Sequence, residues 1–125
     1  MRIDKDLVAA SATPLVLGIL AEGESYGYAI LKRVNDLSGG RMTWTDGMLY
    51  PLLHRLERLR YVEASWRVAE SGRRRKHYAI TAAGVTALAE RRAQWAVVSG
   101  TLERVWAEAG ALLGPVPLAQ TGLGR

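Results

Sequence analysis

The sequence predicts a mainly α chain with one small β-hairpin: a helix-turn-helix carrying a wing, followed by a long C-terminal helix. Three observations predict it. A leucine stripe at helical spacing is backed by a basic opposite face. Two segments of period-two alternation flank a basic turn. Leu88, Trp95 and Leu102 then recur at seven-residue intervals near the end of the chain.

The first segment, residues 13–22, is apolar on nearly every side. Thr13 can cap a helix whose first turn holds Pro14, where a missing N–H costs nothing. The small apolar run from Leu7 to Ala12 also allows an earlier start, with Pro14 inside the helix. Such a helix needs cover on most of its surface. A second helix is expected over about residues 26–37, with Tyr26, Ala29, Ile30, Val34 and Leu37 as its apolar set; Ser38-Gly39-Gly40 breaks it. The third spans residues 46–60. Leu49, Leu52, Leu53, Leu56 and Leu59 form its stripe, Thr45 or Asp46 caps it, and Pro51 implies a local kink. Tyr50, His54, Arg55 and Arg58 are expected on the face opposite the stripe.

The period then changes to two. Residues 62–68 and 76–81 alternate as strands do, and residues 69–75 read as a turn with a basic exit, giving a hairpin with a cationic tip. A long helix over roughly residues 82–109 follows, capped by Thr81. Its heptad seam of Leu88, Trp95 and Leu102, with Val98 and Val105 at the half-period, is the kind that two helices bury against each other. Trp106 extends that surface, so a homodimer is expected. The organisation is a winged helix-turn-helix over residues 1–81, a dimerisation helix over 82–112 and a flexible tail over 113–125.

Composition bounds the function. At 125 residues, with 49% hydrophobic and 23% charged residues, the chain suits one globular domain. No cysteine is present and only two histidines, which removes disulfides, thiolate metal sites and thiol nucleophiles; no metal and no cofactor is expected. Scattered carboxylates offer no nucleophile–base pairing, so the chain does not read as an enzyme. No apolar run approaches the ~18 residues of a membrane span, and a soluble cytoplasmic protein is expected.

The net charge of +5 is concentrated. Residues 54–78 hold eight positive and three negative side chains and so carry the whole excess. A patch of that sign beside a helix-turn-helix points to double-stranded DNA. The third helix would enter the major groove and the hairpin would straddle phosphates or reach a minor groove. The DNA-facing set is then Tyr26, Thr45, Tyr50, Pro51, His54 and Arg55, with Arg73, Arg74, Arg75 and Lys76 from the hairpin. Glu57 is expected to pair with a nearby arginine. A dimer of such readers predicts a roughly palindromic operator.

Three motifs carry a resemblance. Gly47-Met48-Leu49-Tyr50-Pro51-Leu52-Leu53-His54-Arg55-Leu56-Glu57 resembles the recognition-helix signature of PadR-type transcriptional regulators. The run from Gly72 to Gly84, with Tyr78-Ala79-Ile80-Thr81-Ala82-Ala83-Gly84, resembles their wing, and Tyr26-Gly27-Tyr28-Ala29-Ile30 resembles the start of their second helix. The resemblance covers about residues 7–107. It implies a dimeric winged helix-turn-helix regulator, usually a repressor, of the smaller subfamily with one long C-terminal helix. Met48 stands where the family usually has Thr or Ser, so this chain offers no hydroxyl to phosphate there. Some PadR-like regulators respond to phenolic or drug-like compounds. Trp95 reads as plain interface core; the resemblance raises the alternative of a planar aromatic effector stacked there, with Leu7, Ala10, Pro14 and Ser99 as the remaining lining. An RNA-binding winged helix and a non-specific architectural DNA binder are the rival functions.

Overall fold

A computed structural model describes residues 1–115. The helices are α1 (Lys5–Glu22), α2 (Gly27–Ser38), α3 (Asp46–Arg58), α4 (Ala82–Glu108) and the single turn α5 (Gly110–Leu113). The strands are β1 (Ser25–Tyr26), β2 (Val62–Val68) and β3 (Arg74–Ile80). The strands form one antiparallel sheet in the order β1-β3-β2. The fold class is the expected one, mostly helical with a small sheet.

The core lies where α1, α2 and α3 meet the base of the hairpin. Val16, Leu17 and Leu20 from α1, Ile30 and Val34 from α2, and Leu49, Leu53 and Leu56 from α3 are all buried there, closed below by Val62 and Tyr78. Each fully buried large side chain contributes roughly 1.5–3 kcal/mol, so this cluster is what holds α3 at a fixed angle. Gly84 permits the start of α4 to lie against the chain: a Cβ there would collide with the Tyr61 carbonyl oxygen.

Several expectations change. The first helix takes the earlier start, capped by Asp4, whose carboxylate accepts the Asp6 N–H at 2.8 Å. Pro14 therefore sits inside α1, and Thr13 is buried rather than a cap. Leu37 and Leu59, both read as core, are half-exposed. Each lies at the end of its helix, and Leu59 is the C-cap of α3, so the leucine period outruns the last buried turn. Tyr26, expected to start the second helix, instead belongs with Ser25 to the two-residue β1, where Ser25 pairs with Tyr78 and Tyr26 with His77.

The hairpin also differs. Strand β3 begins at Arg74, because Val68 pairs with Arg74 and Arg67 with Arg75. Only Arg73 stays in the turn, which closes at Gly72 with φ of 87°. The remaining three cations lie along the strand. Leu88, assigned to the dimer seam, packs against the core of its own chain. The expected tail falls largely on residues 116–125, outside the described residues.

Candidate nucleic-acid interface

Helix α3 presents three distinct surfaces. Leu49, Leu52, Leu53 and Leu56 point into the core. Gly47, Pro51, His54 and Arg58 follow one another at three- and four-residue spacing along the exposed side. Tyr50 and Glu57 lie on the flank towards the wing, where Glu57 meets Lys76. Arg55 lies on the other flank, and its guanidinium donates to the Thr13 hydroxyl of α1 at 3.3 Å. The single basic face expected for Tyr50, His54, Arg55 and Arg58 is thus split, because 100° per residue carries Arg55 round to α1. Of the two cap candidates, Thr45 is the one that caps α3, its hydroxyl accepting the Met48 N–H at 3.3 Å.

The wing splits its cations by strand alternation. Arg74 and Lys76 share the face that lower down sends Tyr78 to the core, opposite Val68 and Trp66. Arg75 shares the other face with His77, opposite Arg67 and Ser65. Arg67 and Arg75, directly opposed like charges, would repel. Each has a separate partner instead. Arg67 binds the Glu24 carboxylate at 2.8 Å, and the Arg75 guanidinium lies 4.6 Å from the centroid of the Tyr26 ring. Arg74 stacks at 4.7 Å on Trp66, which is itself half-exposed. Stacking orders these long side chains before any partner arrives while leaving their charge outward. Lys76 pairs with Glu57 at 3.6 Å, so Glu57 meets a lysine and not an arginine. Glu24 also lies 3.3 Å from the His77 ring.

Between α3 and the wing runs an open groove of about 610 Å³. Tyr26, Tyr50, His54, Arg73, Arg74, Arg75 and Lys76 all line it, which unites seven of the ten residues that the sequence assigned to DNA. Thr45, Pro51 and Arg55 lie outside it. Sequence reasoning gave no part in it to Gly27, Tyr28, Trp66 or Tyr78. Trp66 carries no sequence signal beyond strand alternation, and Tyr28, two residues after Tyr26 at a helix start, carries none of its own. Tyr78 is buried at the groove's floor, and burial, followed by the nearby Glu57 and Tyr50, pushes its pKa above the ordinary tyrosine value.

The other proposed site lies elsewhere. Leu7, Ala10 and Pro14 are on α1 and Trp95 and Ser99 on α4, two helices that pack together. Pro14 and Trp95 are half-buried and the other three exposed. Val98, Leu102, Val105 and Trp106 of α4 are exposed. Among the described residues no group of three or more His, Asp or Glu side chains is placed to hold a metal, and no helix is long and apolar enough to cross a membrane.

Comparison with known proteins gives concordant matches. The profile of the transcriptional regulator PadR-like family matches residues 16–90. A transcriptional regulator from Clostridium thermocellum superposes with a TM-score of 0.75 at 25% identity, over 82% of this chain and 96% of that one. A PadR-like transcriptional regulator from Bacillus cereus gives 0.70 at 27% identity, over 80% and 95%. A PadR family regulator from Eggerthella lenta is 33% identical, with a TM-score of 0.67 over 80% and 81% of the two chains.

Proposed function

This chain belongs to the transcriptional regulator PadR-like family, and from that premise we propose that it binds double-stranded DNA as a homodimer and represses transcription from a palindromic operator in the cytoplasm. The family is one of transcriptional regulators, not enzymes. The observation that carries the DNA reading is the groove between α3 and the wing, where four cations and the phenols of Tyr26 and Tyr50 converge beside the exposed edge of a helix. Helix α3 enters the major groove with Pro51, His54 and Arg58 outward, and Thr45 lies at its leading end. Arg73, Arg74 and Arg75 meet the flanking phosphates, supplying affinity that depends on salt and little on sequence. Arg55, tied to Thr13, steadies α3 against α1 and reaches DNA only at the groove's margin.

The dimer forms through α4. Val98, Leu102, Val105 and Trp106, together with Trp95, supply the seam, and their exposure in one chain supports this reading. An aromatic effector held by Trp95, Leu7, Ala10, Pro14 and Ser99 would sit where α1 meets that seam, and would release DNA by shifting one dimer half relative to the other.

Fluorescence polarisation tests the reading. The protein is titrated against a duplex from its own upstream region and a scrambled duplex, at two salt concentrations. A preference of ~10³-fold or more for the upstream duplex is expected of a specific regulator. Equal, salt-sensitive binding to both would make it an architectural DNA binder, and retention of RNA alone would move the groove to that partner.

A further inference from the structure

Tyr78 holds a polar group with no use in the fold. The residue is 1% exposed, and its hydroxyl oxygen is buried without a hydrogen-bond partner. Buried hydroxyls are ordinarily paired, so an orphan on the floor of a groove points to a ligand. Burial with Glu57 and Tyr50 nearby raises its pKa, which keeps the phenol protonated and able to donate.

The start of α2 opens onto the same groove. Asp4, Thr45 and Thr81 cap α1, α3 and α4 with side-chain oxygens, whereas Tyr26 gives α2 no such acceptor. The first N–H groups of this twelve-residue helix therefore keep their donors and the positive end of its dipole. Gly27 is a glycine for a reason visible here: a Cβ would overlap the Tyr50 hydroxyl, which lies across the helix start. Gly27, Tyr28, Tyr50 and Tyr78 line the groove together with Arg75 and Lys76. The carboxylate of Glu57 is balanced by Lys76 at 3.6 Å.

We propose that the N-terminus of α2, with the hydroxyls of Tyr50 and Tyr78, forms a seat for one phosphate group, filled by a backbone phosphate of the bound duplex. The proposal rests on the DNA-binding reading above. The phenols and the N–H groups of Gly27 and Tyr28 donate to the phosphate oxygens. Lys76, whose ammonium lies 5.7 Å from the Tyr78 ring centroid, keeps its pairing with Glu57 while pivoting to meet the anion and uncover the hydroxyl. The wing arginines attract any duplex at a distance. A seat built mainly from neutral, rigid donors instead fixes where along the strand α3 comes to rest. Inorganic phosphate shares the chemistry, so two arms separate the sources.

Tyr78→Phe in the full chain removes only the hydroxyl. The free variant is expected to melt at the same temperature or higher, because no hydrogen bond is lost. Its affinity for duplex DNA is expected to fall about tenfold, the scale of one hydrogen bond to a charged group. The slope of log K against log salt stays unchanged, since no cation is removed. In the second arm, inorganic phosphate is titrated at constant ionic strength while the Gly27 and Tyr28 amides are followed by NMR. Shifts in the wild type that shrink in the variant and are abolished by saturating duplex place DNA in the seat. A variant that binds duplex like the wild type overturns the seat and leaves the DNA reading intact. A lowered melting temperature with unchanged DNA affinity makes the hydroxyl structural and overturns it too. Phosphate-dependent shifts in a wild type that binds no duplex assign the seat to free phosphate, and overturn both its DNA occupant and the function proposed above.

Discussion

Helices α1 and α4 use apolar residues in opposite ways. Of the 18 residues of α1, six are buried, and they reach across to α2, α3 and the sheet. Of the 27 residues of α4, only Gly84 and Ala87 are buried, both within its first two turns. Beyond Leu88, Val97, Val98, Leu102, Val105 and Trp106 stand exposed in a single chain. Among the described residues the winged region buries its own core within one chain, whereas the far part of α4 has an apolar surface that they leave uncovered. Exposed apolar residues that recur along one long helix are the physical argument for a second copy.

The comparison can be broken first at the core. Leu53 of α3 is fully buried in the shared core, and Leu53→Ala is expected to lower unfolding free energy by about 2–5 kcal/mol, read by urea denaturation. A loss below 1 kcal/mol would mean that the winged region is not the stable unit. Leu102→Glu acts on the other region. It should raise the dimer dissociation constant at least about a hundredfold, or ~2.7 kcal/mol, in sedimentation. The monomer should keep its folded far-UV spectrum. An unchanged oligomeric state would remove α4 as the seam.

The smallest effect concerns the wing. Replacing Arg74 and Arg75 together by Ala is expected to weaken binding to every duplex alike and to lower the salt slope by roughly two. Stability should barely change, since both guanidinium groups rest on exposed or half-exposed rings. A changed preference between sequences at constant slope would make the wing a base reader instead.

Much of this was legible in the sequence, and the misses have local causes. Strand β2 was read to the residue, since Val62 to Val68 alternates cleanly. The start of β3 was missed because three consecutive arginines look like a solvated turn; cross-strand pairing of Val68 with Arg74 extends the ladder into them. Strand β1 gave no signal, as two residues are too short for any period. The groove's cations were found from charge alone. Its floor was not, because Tyr78 looked like one more strand aromatic, and its orphan hydroxyl exists only in relation to Tyr50 and Glu57 from another element.

By itself the sequence determined the order of the longer elements, the cap at Thr81, the basic window and the heptad spacing of α4, because each is a property of neighbouring residues and their period. Tertiary structure alone decided that Arg55 belongs to Thr13, 42 residues away, that Lys76 takes Glu57, and that Gly27, Tyr50 and Tyr78 meet. Those contacts depend on the angles at which separate elements pack, and such angles come from the shape of the shared core, which no single segment's pattern contains.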